Sequence, residues 1–160
     1  EYNFPFKKGS HGKQSKSGPN GSGTTRVIGA LYPFGHGLSY TQFDYSNLKV
    51  DAPESGTKGN VNVSVDVTNV GKHFGEEVAQ LYLRDKYSSV VTYDSQLRGF
   101  EKVALQPGET KTIHFTLTPA DLELLDKNMN WTVEPGEFEV MIGASSEDIR
   151  LKQMFELKGN

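Results

Sequence analysis

The region from residue 43 to residue 157 predicts an all-β fold, an antiparallel sandwich of about seven strands. An irregular N-terminal arm over residues 1–42 precedes it, and the sandwich is assigned residues 43–160. Three observations carry the prediction. Apolar residues alternate with polar ones at period two, turn chemistry recurs about every ten residues, and the helix-length spacers of a parallel sheet are missing.

The arm comes first in the chain. Residues 7–29, KKGSHGKQSKSGPNGSGTTRVIG, are glycine, serine and lysine with almost nothing to bury. Such a composition does not offset its own ordering entropy, and a long loop of this kind usually serves a site or leans on another surface. Residues 31–45, LYPFGHGLSYTQFDY, then concentrate aromatic side chains among glycine and proline. Gly35-His36-Gly37 is either the lip of a site or a bend before the first strand.

Strands follow. FDYSNLKV is irregular and suggests an edge or a bulge. In NVNVSVDVTN, Val61, Val63, Val65 and Val67 share one face, and their β-branched side chains suit a sheet. Ala79, Leu81 and Leu83 mark a strand in EEVAQLYLRD, and LRGFEKVAL a less regular one. Ile113, Phe115 and Leu117 point inward from TIHFTLT, as do Phe138, Val140 and Ile142 from GEFEVMIG. Leu151, Phe155 and Leu157 mark a last strand. Asn69-Val70-Gly71-Lys72, Pro107-Gly108 and Pro135-Gly136 supply the turns between them. TPADLELLD carries the one helical signal, with Thr118 as cap, Pro119 at the first helical position and Asp121 closing a capping box. This pattern is that of an immunoglobulin or fibronectin type III-like sandwich.

Composition excludes several functions. A net charge of -3 with scattered Lys and Arg disfavours nucleic acid and anionic lipid. No apolar run approaches the roughly 20 residues of a membrane span. With no cysteine, disulfide scaffolding and thiolate chemistry are excluded, and the compartment stays open. The chain opens at Glu1 in mid-phrase, so the expectation is a piece of a longer polypeptide.

Chemistry-bearing residues are sparse. His11, His36, His73 and His114 lack metal-site spacing, and His114 has outward parity on its strand. Asp126, Asn128, Asn130 and Glu137 imitate a calcium loop, but Trp131 stands where that loop needs glycine, which favours a polar turn. Trp131 is the single tryptophan, expected in a core or an interface rather than as a sugar-stacking platform. Glu76 with Glu77, Asp85 with Asp94, and Glu147 with Asp148 are the carboxylate pairs that glycoside chemistry would want. All lie in or beside turns, where acids are usually solvated. Asn62-Val63-Ser64 and Asn130-Trp131-Thr132 match the glycosylation sequon, and GPNGSG lacks the setting of a phosphate loop.

Four phrases, LYPFGHGLSYTQFDYSNL, VTNVGKHFGEEVAQLYLRD, LRGFEKVALQPGETKTIHFTL and WTVEPGEFEVMIGASSEDIRL, resemble the C-terminal end of family 3 glycoside hydrolases of the β-glucosidase and β-xylosidase type. The likeness covers residues 31–157. It implies a fibronectin type III-like accessory domain preceded by the linker from an α/β domain. In that family the nucleophilic aspartate and the acid/base glutamate of retaining hydrolysis lie on upstream domains. No catalytic residue, metal or cofactor is therefore carried over, and this piece is expected to be inert. The implied partners are the barrel and α/β domains of one parent chain, periplasmic or secreted, with substrate met only through them. Tyr32, Pro33, Phe34, Leu38 and Tyr40 become an expected interdomain strip, which answers the glycine-histidine question in favour of the bend. Val90, Val91 and Tyr93, in the connection YSSVVTYDSQ, become an expected cleft-edge loop. The rival from another class is an independent carbohydrate-binding module.

Overall fold

A computed structural model describes residues 32–54, 56–90 and 94–159. The strands are β1 (Phe43–Asp51), β2 (Val61–Asn69), β3 (Gly75–Asp85), β4 (Gln96–Leu105), β5 (Thr110–Leu117), β6 (Leu124–Leu125), β7 (Trp131–Thr132), β8 (Gly136–Gly143) and β9 (Ile149–Leu157). One helical turn, α1 (Pro119–Leu122), follows β5. The seven long strands form two antiparallel sheets, β1-β2-β5 and β4-β3-β8-β9, so the sandwich expected from the sequence is the fold. The two-residue strands β6 and β7 pair as a small ribbon on either side of the expected polar turn.

Alternation places the core. Val61, Val63, Val65 and Val67 are each no more than 1% exposed, and they face Ala79, Leu81, Val140 and Ile142 of the other sheet, all sealed. Phe138 and Phe155 stack at 5.4 Å. Each such side chain contributes roughly 1.5–3 kcal/mol relative to exposure, which makes closure of the two faces the main stabilising term. Leu122 of α1 enters the same core. The amide and hydroxyl of Thr118 both donate to the Asp121 carboxylate, at 2.8 and 2.7 Å, so the predicted cap residues do meet. The helix nevertheless stops after four residues, too short to persist without the packing of Leu122.

Both irregular stretches are edge strands. In β1 the register slips between Ser46 and Lys49, where Asn47 takes a φ of 53°. In β4 the extra residue Arg98 makes a bulge opposite Leu81 and Tyr82 of β3. Strand β3 departs from simple alternation, because Gln80 and Tyr82, turned away from the core, are also buried. Its pairing with β8 begins only at Gln80, which leaves Gly75–Ala79 without a neighbour on that side among the described residues.

The register of β8 against β9 shifts at Gly143. A Cβ there would lie 2.1 Å from the Asp148 carbonyl oxygen and 2.8 Å from the Ile149 Cα, both backbone atoms that cannot swing aside. Gly143→Ala should therefore destabilise the chain by about 2 kcal/mol through overpacking, read as a lower urea midpoint with an unchanged slope.

Candidate functional site

Residues 33–42 form a strap across the sandwich, hydrogen-bonded to it near both ends. At the first end Pro33 to His36 make a tight turn. The His36 amide donates to the Pro33 carbonyl at 3.1 Å, and Gly35 takes a φ of 77°, which a glycine at the third turn position accepts without strain. The Tyr32 ring stacks on His36 at 5.2 Å. The Gln80 amide nitrogen donates to the Gly35 and Ala144 carbonyls at 2.9 and 2.8 Å, and its oxygen accepts from the Tyr82 hydroxyl at 2.5 Å. The Ser146 amide donates to the Phe34 carbonyl at 2.9 Å. A Cβ on Gly35 would lie 2.0 Å from the Gln80 oxygen, so the close approach requires glycine.

The second end rests on Asn69, a side chain with no exposed surface. Its amide nitrogen donates to the His73 and Leu105 carbonyls at 2.8 and 3.0 Å. Its oxygen accepts from the Thr41 hydroxyl at 2.7 Å and from the Gly71 amide at 3.0 Å. The Val70 amide donates to the Gln42 carbonyl at 2.9 Å. A Cβ on Gly71 would lie 2.0 Å from the Thr41 hydroxyl oxygen, and one on Gly75 2.5 Å from the Thr41 methyl.

Between these ends the strap turns apolar side chains outward. Leu38 and Tyr40 are 92% and 98% exposed, Tyr32 63% and Phe34 42%, while Pro33 is half-buried. The expected strip is thus a contiguous run on a backbone fixed to the sandwich. Of the second expected group, Val90 is half-buried, while Val91 and Tyr93 lie outside the described residues. Nearby, Ser89 donates from both its amide and its hydroxyl to Glu134.

The remaining sequence candidates stand apart. The Asp126 carboxylate accepts the Asn128 and Asn130 amides at 2.8 and 2.9 Å, and these bonds hold it below the usual carboxylate range. It organises a polar turn ahead of β7. Trp131 is 67% exposed rather than in the core. Glu76 pairs with Lys102 at 2.6 Å. Asp148 holds Arg150 with two bonds, at 2.5 and 2.7 Å, the planar fork that guanidinium and carboxylate favour.

Beneath the strap opens a half-open cleft of about 840 Å³. Residues 35–44 form one wall, Glu76–Gln80 the other, and Asp148 and Arg150 lie at one end. Glu77 is half-buried there and accepts the Val78 amide at 3.0 Å. Burial pushes its carboxyl above the usual range, only partly offset by the Val78 amide, the Tyr45 hydroxyl and Arg150. Tyr45 is 5% exposed, and burial together with the neighbouring Glu77 carboxylate pushes its hydroxyl well above the ordinary tyrosine range. Arg150 lies 5.7 Å from the Tyr45 ring centre and donates to the Phe43 carbonyl at 3.2 Å. Sequence reading missed Asn69, Gln80, Tyr45 and Arg150; only the polar Gln80 at an otherwise apolar strand centre could have drawn notice.

Among known families, a fibronectin type III-like domain model matches residues 77–146. Thermostable β-glucosidase B of Acetivibrio thermocellus is 49% identical over 130 residues, covering 81% of this chain and 17% of that one. A β-xylosidase of Formosa agariphila is 48% identical over 122 residues, covering 76% and 17%. Among solved structures, β-D-glucoside glucohydrolase from Trichoderma reesei superposes with a TM-score of 0.74 at 39% identity, over 79% of this chain and 20% of that one. β-Glucosidase 3B from Thermotoga neapolitana gives 0.75 at 35% identity, over 81% and 18%. The chain thus spans 17% of the length of these curated relatives.

Removing the Asn69 amide strands the Leu105 carbonyl in the interior. Asn69→Ala should cost about 3 kcal/mol in urea unfolding, the range for a buried polar group left unpaired together with its lost bonds. Glu77→Gln should do the opposite. A carboxyl whose pKa is raised by folding opposes folding wherever the unfolded chain can ionise. The substitution should therefore raise the melting temperature at neutral pH, and its advantage should vanish below the ordinary glutamate pKa of about 4.3.

Proposed function

Because the chain belongs with the fibronectin type III-like domains of family 3 glycoside hydrolases, we propose that it is the non-catalytic brace of a multidomain, exo-acting β-glucosidase-type enzyme. In this reading the strap is where the brace meets its neighbour. Tyr32, Pro33, Phe34, Leu38 and Tyr40 pack on an adjoining α/β domain, and residues 1–42 serve as the crossing linker.

One observation carries this reading. The backbone of residues 33–42 is bound to the sandwich, yet the large apolar side chains of the strap point away from it. An isolated domain gains nothing from fixing such groups in water, whereas aromatic anchors on a pre-ordered backbone suit a docking surface. Bond-breaking belongs to other domains of the parent. The likeness of the chain to a short stretch of longer β-glucosidases and β-xylosidases supports that division.

A second reading, a carbohydrate-binding module, draws on the exposure of Trp131. It calls for a row of such platforms, and the nearest exposed apolar side chain in sequence is Met129. Titration of the 160-residue chain with gluco- and xylo-oligosaccharides separates the two: saturable binding at millimolar or tighter concentration favours the module.

For the brace, Tyr32→Ala with Phe34→Ala should lower the melting temperature of the full enzyme by several degrees. The same pair should change the stability of the 160-residue chain by less than about 0.5 kcal/mol, as for surface positions. Unchanged thermal stability of the full enzyme would overturn the docking role.

A further inference from the structure

The strap alone is too small to seat a neighbour. Residues 33–42 are a short segment, whereas a stable contact between folded bodies takes about 20–30 residues from each side. A footprint that includes the strip therefore spreads onto the surface beside it.

Both ends of the strap are bordered by exposed apolar side chains that the sandwich itself supplies. At the first end Gln80 is the meeting point. Its amide donates to the Gly35 carbonyl, and in the register of β3 with β4 it stands opposite Phe100, which is 68% exposed. Val78, two residues before Gln80, turns to the same side and is 36% exposed. Beside it Glu76 and Lys102 neutralise each other at 2.6 Å, the kind of polar rim such a contact tolerates. At the second end Asn69 binds strap and turn alike: its oxygen accepts from the Thr41 hydroxyl and the Gly71 amide, and its nitrogen donates to the His73 carbonyl. That turn carries Val70 and Phe74, 57% and 54% exposed. None of these four apolar residues belongs to the core.

The opposite side of the sandwich is built differently. Every outward side chain of β2 and β5 is polar. The Thr112 hydroxyl donates to Asp66 at 2.6 Å, Thr116 to Asn62 at 3.2 Å, and Thr68 and Thr110 share a bond at 2.7 Å. A face whose polar groups pair among themselves suits water, while aromatic groups held on a rigid surface mark the place of another body. The chain spans 17% of the length of its curated relatives, so a domain of the same parent is tethered beside it. A second copy of this chain would have to meet it through the strip as well, and the docking reading gives the strip to that tethered domain.

We propose that the sandwich itself, and not the strap alone, is docked: the neighbouring domain that takes the strip also covers Val78 and Phe100 at one end of the strap and Val70 and Phe74 at the other, and the outer face of the three-stranded sheet stays in water. The inference rests on the docking reading above and extends it from a linker contact to a contact of the folded body. The partner surface presents apolar patches on both sides of a seat for the strap.

Hydroxyl-radical footprinting of the full enzyme tests this without any substitution, because aromatic and histidine side chains oxidise in proportion to their exposure. Phe74, Phe100 and Tyr40 should react about tenfold more slowly than their intrinsic rates, as side chains sealed in the core of an interface do. His114, exposed on β5, should keep its intrinsic rate. Phe74→Ala with Phe100→Ala should lower the melting temperature of the full enzyme by several degrees, and His114→Ala should leave it unchanged. Phe74 and Phe100 reacting at intrinsic rates while Tyr40 is protected would overturn the proposal and leave the strip docked. Free reaction at Tyr40 as well would take the docking reading down with it. Protection of His114 equal to that of Phe100 would overturn the choice of face.

Discussion

A buried amide side chain tolerates no idle polar atoms, and that requirement at Asn69 and Gln80 shapes the functional face of the molecule. Each presents donors and an acceptor in places where water does not reach. The polar atoms that satisfy them come from the strap as well as from the sheets. Gln80 needs the Gly35 carbonyl and Asn69 the Thr41 hydroxyl, so a segment that composition alone would leave loose is fixed to the sandwich near its two ends. The glycines at 35, 71 and 75 follow from the same demand, since a side chain at any of them would push strap and sheet apart.

The sandwich was legible because burial imposes period two wherever one face of a strand is wet. The valines of β2 and the inward triads of β5 and β8 declare their faces without help from the rest of the chain. Legibility ended where a residue answers to something distant in sequence. Asn69 sits in a phrase that reads as an ordinary turn, and nothing local says that its side chain reaches Leu105. Gln80 and Tyr82 look like outward polar positions, and their burial is set by contacts the alternation does not encode. The ribbon of β6 and β7 has two residues in each strand, below the length at which any periodicity can be read. At the site, the aromatic strip was visible as composition. The cleft was not, because Phe43, Glu77 and Arg150 come from three strands that adjoin only after the sheets close.

Electrostatics divides the acids into two groups. Asp148 and Asp126 sit where guanidinium or amide donors favour the charged form, so they help to hold local structure. Glu77 and Asp85 are disfavoured as anions by burial, and they weaken the isolated fold at neutral pH. Tyr82 shares that setting from the other side: burial pushes its hydroxyl up to about 12, which keeps it a neutral donor to Gln80. Of these acids, Glu77 and Asp148 line the cleft beneath the strap, the one opposing the fold and the other helping to hold it.

The two fastenings of strap to sheet govern what the strap can do. Gly35 is held from β3 and Phe34 from the turn between β8 and β9, while Thr41 is held by Asn69 at the far end of β2. A ribbon pinned at two places cannot swing as a tether does. Leu38 and Tyr40 therefore keep one bearing relative to the two sheets, as rungs do on a ladder fixed top and bottom.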